Sequence, residues 1–191
     1  MLKLRKVAIT GSIASGKSTA CSYFKKLGAY VVSSDKLAHE LLKDTLIQTK
    51  IKKKLELEGR LSRKNLANVV FKDQKKLNSL TSILYPSIMN QLKIHFKQAK
   101  KEHSPLCIIE TPLLFESKQE NIFNTVICMK TKKSLSKTRC KYSDFEKRYR
   151  FQMPQAQKEK RAHFLLSNNG TKQSLKKQVQ SLFDSLTQNQ K

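Results

Sequence analysis

Eight residues near the start restrict the possible folds more than any other part of the chain. Gly11-Ser12-Ile13-Ala14-Ser15-Gly16-Lys17-Ser18 fits Gly-x-x-x-x-Gly-Lys-Ser/Thr in full, the pattern of a loop that cradles phosphate with backbone amides. That pattern carries weight only between a strand and a helix, and both neighbours are predicted. Val7-Ala8-Ile9-Thr10 is a short apolar run, as a buried strand requires. After the loop, Ala20, Phe24 and Leu27 recur at helical spacing, and Gly28 stands where the helix should stop. Tyr30-Val31-Val32 reads as a second strand ending near Asp35. Strand, loop, helix and strand in this order open a parallel α/β sheet with right-handed crossovers.

Each residue type in the loop has a physical task. Gly11 and Gly16 permit backbone angles and close approach that a side chain would block. The amides from Ala14 through Ser15, Gly16, Lys17 and Ser18 to Thr19 are expected to face phosphate oxygens, aided by the helix N-terminus. Lys17 brings a point charge to the β- and γ-phosphates, and Ser18 a hydroxyl for Mg²⁺. Two carboxylates have two readings each. Asp35, beyond the second strand, can accept an acceptor hydroxyl's proton, or cap a helix beginning at Lys36. Glu110, after Leu106-Cys107-Ile108-Ile109, can hold Mg²⁺ through water, or be an ordinary loop carboxylate.

Between residues 36 and 101 the pattern is helical, with Leu37, Leu41, Leu55, Leu66, Val70, Leu77 and Leu84 spaced for apolar faces. Strand character returns at 106–109 and 126–129, and Phe164-Leu165-Leu166 reads as a final strand. Asn168-Asn169-Gly170 is a turn signal, followed by a helix with Leu175, Val179, Leu182, Phe183 and Leu186 on one stripe. Residues 130–161 hold twelve Lys or Arg against three Asp or Glu. With little apolar face, that stretch reads as a mobile segment over a site and outside the core.

Composition narrows the function classes. The 191 residues carry a net charge of +25, which attracts polyanions, whether phosphorylated metabolites or nucleic acid. No aromatic-rich stacking platform is visible and Trp is absent, so specific nucleic-acid binding is not expected. Cys21, Cys107, Cys128 and Cys140 lack metal or disulfide spacing and read as reduced thiols. No apolar run approaches the ~20 residues of a membrane span. A cytoplasmic protein is expected.

Further segments carry a resemblance. Val32-Ser33-Ser34-Asp35-Lys36-Leu37-Ala38, Leu61-Ser62-Arg63-Lys64-Asn65-Leu66 ending in Val70-Phe71, and Ile83-Leu84-Tyr85-Pro86 follow the loop in order. Pro112-Leu113-Leu114-Phe115-Glu116, then Gln152-Met153-Pro154 with Glu159-Lys160-Arg161, and Ser167-Asn168-Asn169-Gly170 complete the series. The ordered set resembles dephospho-coenzyme A kinases along nearly the whole chain, with Pro112 to Glu116 the most distinctive element. Ser33, Tyr85 and Ser167 stand where that family usually has an acid, His and Asp.

The resemblance implies a three-layer P-loop fold and transfer of the ATP γ-phosphate to the ribose 3′-hydroxyl of dephospho-coenzyme A. It implies a nucleotide-binding core of 1–35, 102–129 and 163–191, a helical acceptor-binding insertion of 36–101, and a basic lid of 130–162. Asp35 becomes the expected base, Lys17 and Arg148 the charge-stabilising groups. Arg63, Tyr85, Pro112 and Leu113 join Asp35 in binding the acceptor, with Ser18 and Glu110 serving Mg²⁺. A monomer is expected. The rival readings are another small-metabolite or nucleoside monophosphate kinase of this architecture, and a P-loop ATPase that binds nucleic acid.

Overall fold

Runs of β-branched and aliphatic residues too short for helices form five parallel strands in a computed structural model that describes residues 4–59, 61–70 and 72–188. The side chains of residues 63 and 64 lie outside that description. The strands are β1 (Arg5–Thr10), β2 (Tyr30–Ser33), β3 (Leu106–Glu110), β4 (Thr125–Lys130) and β5 (Phe164–Ser167). Their order is β2-β3-β1-β4-β5, with β1 at the centre. Val7 pairs with Ile108 on one side and Thr125 on the other, and Ile9 with Glu110 and Ile127. The sheet order reverses beside β1, which places the carboxyl end of β1 where α/β folds bind ligands.

Both faces of the central strands are buried, which is why they read as unbroken apolar runs and do not alternate. Val7, Ile9, Ile108, Ile127 and Met129 face α1 (Lys17–Lys26) and the last helix, Lys172–Gln188, in one cluster with Phe24, Leu175, Val179 and Leu182. Each fully buried Ile, Leu or Phe side chain there contributes about 1.5–3 kcal/mol. Ala8, Cys107, Ile109 and Cys128 on the alternate positions are equally enclosed.

Helix α1 ends as its sequence predicts. Gly28 sits at φ 98°, its N–H bonds Lys25 O at 3.1 Å, and Ala29 N–H bonds Phe24 O at 3.1 Å. These paired bonds satisfy carbonyls the helix would leave unmade.

Residues are gathered into two compact units, Met1–Ser33 with His95–Lys191, and Ser34–Ile94. The second is helical: α2 (Ser34–Leu41), α3 (Thr45–Leu55), α4 (Arg63–Val70) and most of α5 (Gln74–Lys101), which runs through Pro86. Asp44 caps α3, accepting from Leu46 and Ile47 amides at 2.8 and 3.3 Å. The expected start of α2 at Lys36 is displaced. The helix begins at Ser34, directly after β2, so Asp35 lies inside the first turn and does not cap it.

The basic stretch also differs from its sequence reading. It folds into α6 (Lys133–Arg139), α7 (Phe145–Arg150) and α8 (Gln155–Arg161), ahead of α9, the Lys172–Gln188 helix. Phe145 and Ser136 are buried, and Lys158 is wholly enclosed. All four cysteines are free, three of them buried. No helix among the described residues is long and apolar enough to cross a membrane.

Candidate active site

The glycines of the loop are required by geometry. Gly11 adopts φ 138°, and a Cβ there would lie 3.0 Å from Met129 Cβ, Met129 O and Ser15 Oγ. Gly16 adopts φ 94°, and its Cβ would overlap Asn168 Nδ2. Between them Ala14 also takes the left-handed region at φ 56°, a conformation that an L-residue holds only when its surroundings impose it. Gly16 precedes the first turn of α1 with no side-chain cap, so amides at that helix start are available to an anion.

Lys17 is buried and its Nζ donates to Gly11 O at 3.2 Å and Ser12 O at 2.9 Å. Its own loop therefore holds the ammonium across the mouth of the cradle. Ser18 is exposed, one residue further along α1. Glu110 ends β3 opposite Ile9 and Ser33. Burial raises the Cys21 thiol pKa, Glu110 raises it further and Lys17 opposes. The described residues contain no cluster of three or more His, Cys, Asp or Glu for a metal. Mg²⁺ is commonly held by one or two protein oxygens plus phosphate, and Ser18 and Glu110 fit that donor set.

Around the loop stands a ring of polar contacts that motif reading did not supply. Thr131 Oγ1 and Asn168 Nδ2 both donate to Ser15 O at 2.9 Å. Arg139 Nη1 donates to Asn168 O at 2.9 Å. On the other side, Ile13 N–H donates to Gln152 Oε1 at 2.9 Å and Ser12 N–H to Gln155 Oε1 at 3.1 Å. The sequence did hold a signal for this pair. Two neutral amides three residues apart flank Pro154 inside a stretch otherwise dominated by Lys and Arg.

Pro112 and Leu113 follow β3 in the same unit. The Pro112 carbonyl accepts from Thr10 Oγ1 at 3.3 Å and from Lys158 Nζ at 2.9 Å. Lys158 also pairs with Glu116 Oε1 at 2.8 Å, and Met153 N–H donates to the same oxygen at 2.7 Å. Losing one partner of such a buried pair costs about 3–5 kcal/mol, whereas replacing both with neutral groups is often tolerated.

Arg148 lies on α7 with its Nε bonded to Asp144 Oδ1 at 2.8 Å and its guanidinium 4.3 Å from the Tyr142 ring. That bond, above all, holds the Asp144 carboxyl below its ordinary pKa. Asp35, Arg63 and Tyr85 belong to the helical unit. Tyr85 is half-buried on α5 beside Pro86. Arg63 opens α4, but its side chain lies outside the described residues, as does Phe71. Within the helical unit, His39, Leu42, Lys43, Gln48, Leu61 and Leu66 line a cavity of about 300 Å³.

A phosphate cradle on this sheet is shared by many enzymes, so the loop alone does not select a family. A family model described as dephospho-CoA kinase matches residues 5–174, from the first strand into the last helix. A dephospho-CoA kinase of Protochlamydia amoebophila is 34% identical, with 97% of this chain and 98% of that protein covered. One from Aquifex aeolicus is 31% identical over 96% of this chain and 98% of its own length. Among solved structures, a Thermus thermophilus protein superposes with a TM-score of 0.79 at 29% identity, covering 96% of this chain and 98% of its own. The match thus spans the cradle, the helical unit and the basic helices together, and the chain belongs to the dephospho-CoA kinase family of ATP-dependent kinases.

Proposed function

We propose that this protein transfers the γ-phosphoryl group of ATP to the ribose 3′-hydroxyl of dephospho-coenzyme A, completing coenzyme A. The observation that carries the reading is an intact cradle, with buried Lys17 across its mouth and two sterically obligatory glycines, inside a family match from residue 5 to residue 174. The amides of 14–19 bind the phosphates, and Lys17 exchanges its loop carbonyls for β- and γ-oxygens. The Ser18 hydroxyl and Glu110 carboxylate would hold Mg²⁺, which would supply charge neutralisation on the phosphates.

A bond forms from the acceptor 3′-oxygen to the γ-phosphorus as the bond to the β,γ-bridging oxygen breaks. ADP leaves, and the hydroxyl proton passes to Asp35. Arg148 leaves Asp144 to stabilise the transferring charge, carried by a lid formed from 130–162. The 36–101 insertion binds the acceptor through Arg63 and Tyr85, with Pro112 and Leu113 contributing from the core. We infer a monomer working in the cytoplasm.

The test is ADP release with Mg-ATP and, separately, dephospho-coenzyme A, AMP, other nucleoside monophosphates and single-stranded nucleic acid. Turnover with dephospho-coenzyme A alone, and coenzyme A as product, is the expected result. Turnover confined to another acceptor would discard the substrate and keep the cradle.

A further inference from the structure

A fully buried lysine far along the chain from the motif is linked to it through polar contacts of its own segment. Lys158 has no exposed side-chain surface, yet its Nζ reaches both Pro112 O and Glu116 Oε1. Glu116 Oε1 also accepts the amide of Met153, which lies between Gln152 and Gln155 in sequence. Those two glutamines accept the amides of Ile13 and Ser12. Gln155 is fixed from its other end as well, since Nε2 donates to Met129 O at 2.8 Å and Glu159 Oε1 at 2.9 Å.

Ser12 and Ile13 precede the amides assigned to phosphate, so the glutamines do not compete with nucleotide. They hold the front of the loop, next to Ala14 in its left-handed conformation. A buried ion pair gives little stability over an apolar pair, and its better attested use is to fix register. Here the register is that of three segments meeting at the phosphate cradle: 11–18, 112–116 and 152–158.

We propose that Lys158, paired with Glu116, is a positioning residue for phosphoryl transfer, setting the loop through Gln152 and Gln155. This rests on the reading of the loop as the phosphoryl-transfer site. A misplacement of about 1 Å at such a site can cost about 10²-fold in rate.

The decisive comparison uses the whole protein with the neutral double variant Lys158→Met/Glu116→Gln, which leaves no orphaned charge and keeps an acceptor for Met153. Gln155→Met is tested beside it, since it breaks the chain of contacts nearer the loop without touching the ion pair. Both are expected to lower kcat about 10- to 100-fold while KM for ATP moves less than about threefold, because the phosphate-facing amides are retained. Combining all three substitutions should be no worse than the poorer parent, as expected for contacts acting in series.

A folded double variant or a folded Gln155→Met with kcat within about twofold of the parent protein overturns the proposal. So does loss of kcat in both that multiplies in the combination. If the double variant does not fold, Gln155→Met decides alone. Lys17→Ala is run in parallel: if it stays active, the cradle reading itself is wrong, whereas an inactive Lys17→Ala beside fully active Gln155→Met refutes only the positioning role.

Discussion

The cradle and the basic stretch that follows β4 belong to one compact unit, yet they are specified in opposite ways. From β1 through α1, the decisive constraints are local. Gly11 and Gly16 take positive φ values, Lys17 bonds carbonyls five and six residues away, and Gly28 closes the helix. From 130 to 162 the decisive constraints are distant. Lys158 meets Glu116 and Pro112, Gln152 and Gln155 meet Ile13 and Ser12, and Arg161 meets Glu120 and stacks on Phe115 at 4.6 Å. A backbone-written motif can be recognised anywhere, whereas a charged stretch discloses its partners only when folded.

The largest effect should come from the locally written region. Lys17→Ala is expected to lower turnover by at least about 10²–10³-fold, since a preorganised charge at the phosphates is lost. Steady-state kinetics at saturating Mg-ATP checks this. Retained turnover would break the contrast by making the cradle dispensable.

Asp35→Asn, in the helical unit, should lower kcat by about 10²-fold through loss of the proposed general base. Nucleotide affinity, read by calorimetry with ATP, should be nearly unchanged. Equal losses of both would reassign Asp35 to structure, where a first-turn carboxylate favours the helix dipole.

Gly16→Ala comes next. It combines an unfavourable φ with a contact on Asn168, whose amide is already committed to Ser15 O. A loss of about 1–3 kcal/mol in chemical unfolding is expected, and weaker ATP binding should accompany it. If Asn168→Ala restores stability to Gly16→Ala, the steric half of the argument is confirmed.

The smallest effect concerns acid. Asp144 is held below its ordinary pKa chiefly by its hydrogen bond to Arg148, and Glu146 by hydrogen bonds to Lys133 and Lys137. Carboxylates with lowered folded values contribute stability above the unfolded range, and lose it as pH falls through the folded values. A modest loss confined to pH below about 4 is therefore expected. Thermal unfolding of Asp144→Asn/Glu146→Gln should show a flatter acid limb than the parent protein. Identical limbs would mean that these surface pairs do not brace α6 and α7.

Much of the molecule was legible from residues alone. Five apolar runs became the five strands within a residue or two; for β1, β3 and β4 the reason is that a strand buried on both faces needs a continuous apolar run. The cradle was legible for the reason given above, and the stripe of Leu175, Val179, Leu182 and Leu186 became a buried face of α9. Three features were not legible. The start of α2 at Ser34 was missed, since nothing in Ser33-Ser34-Asp35 marks a strand passing straight into a helix. Residues 130–161 read as lying outside the core because Lys158 counts as a surface charge until its carboxylate partner is known. The partners of Gln152, Gln155, Thr131 and Asn168 were invisible because each lies at least 116 positions away.

The sequence by itself determined that a parallel sheet would carry a phosphate-binding loop, since glycine placement, apolar runs and helix stops act within a few residues of where they are written. Only the tertiary structure decided that Thr131, Asn168 and the Gln152–Lys158 segment enclose that loop. Polar side chains commit to one partner among many, and the choice is made by which segments the folded sheet brings within hydrogen-bond reach.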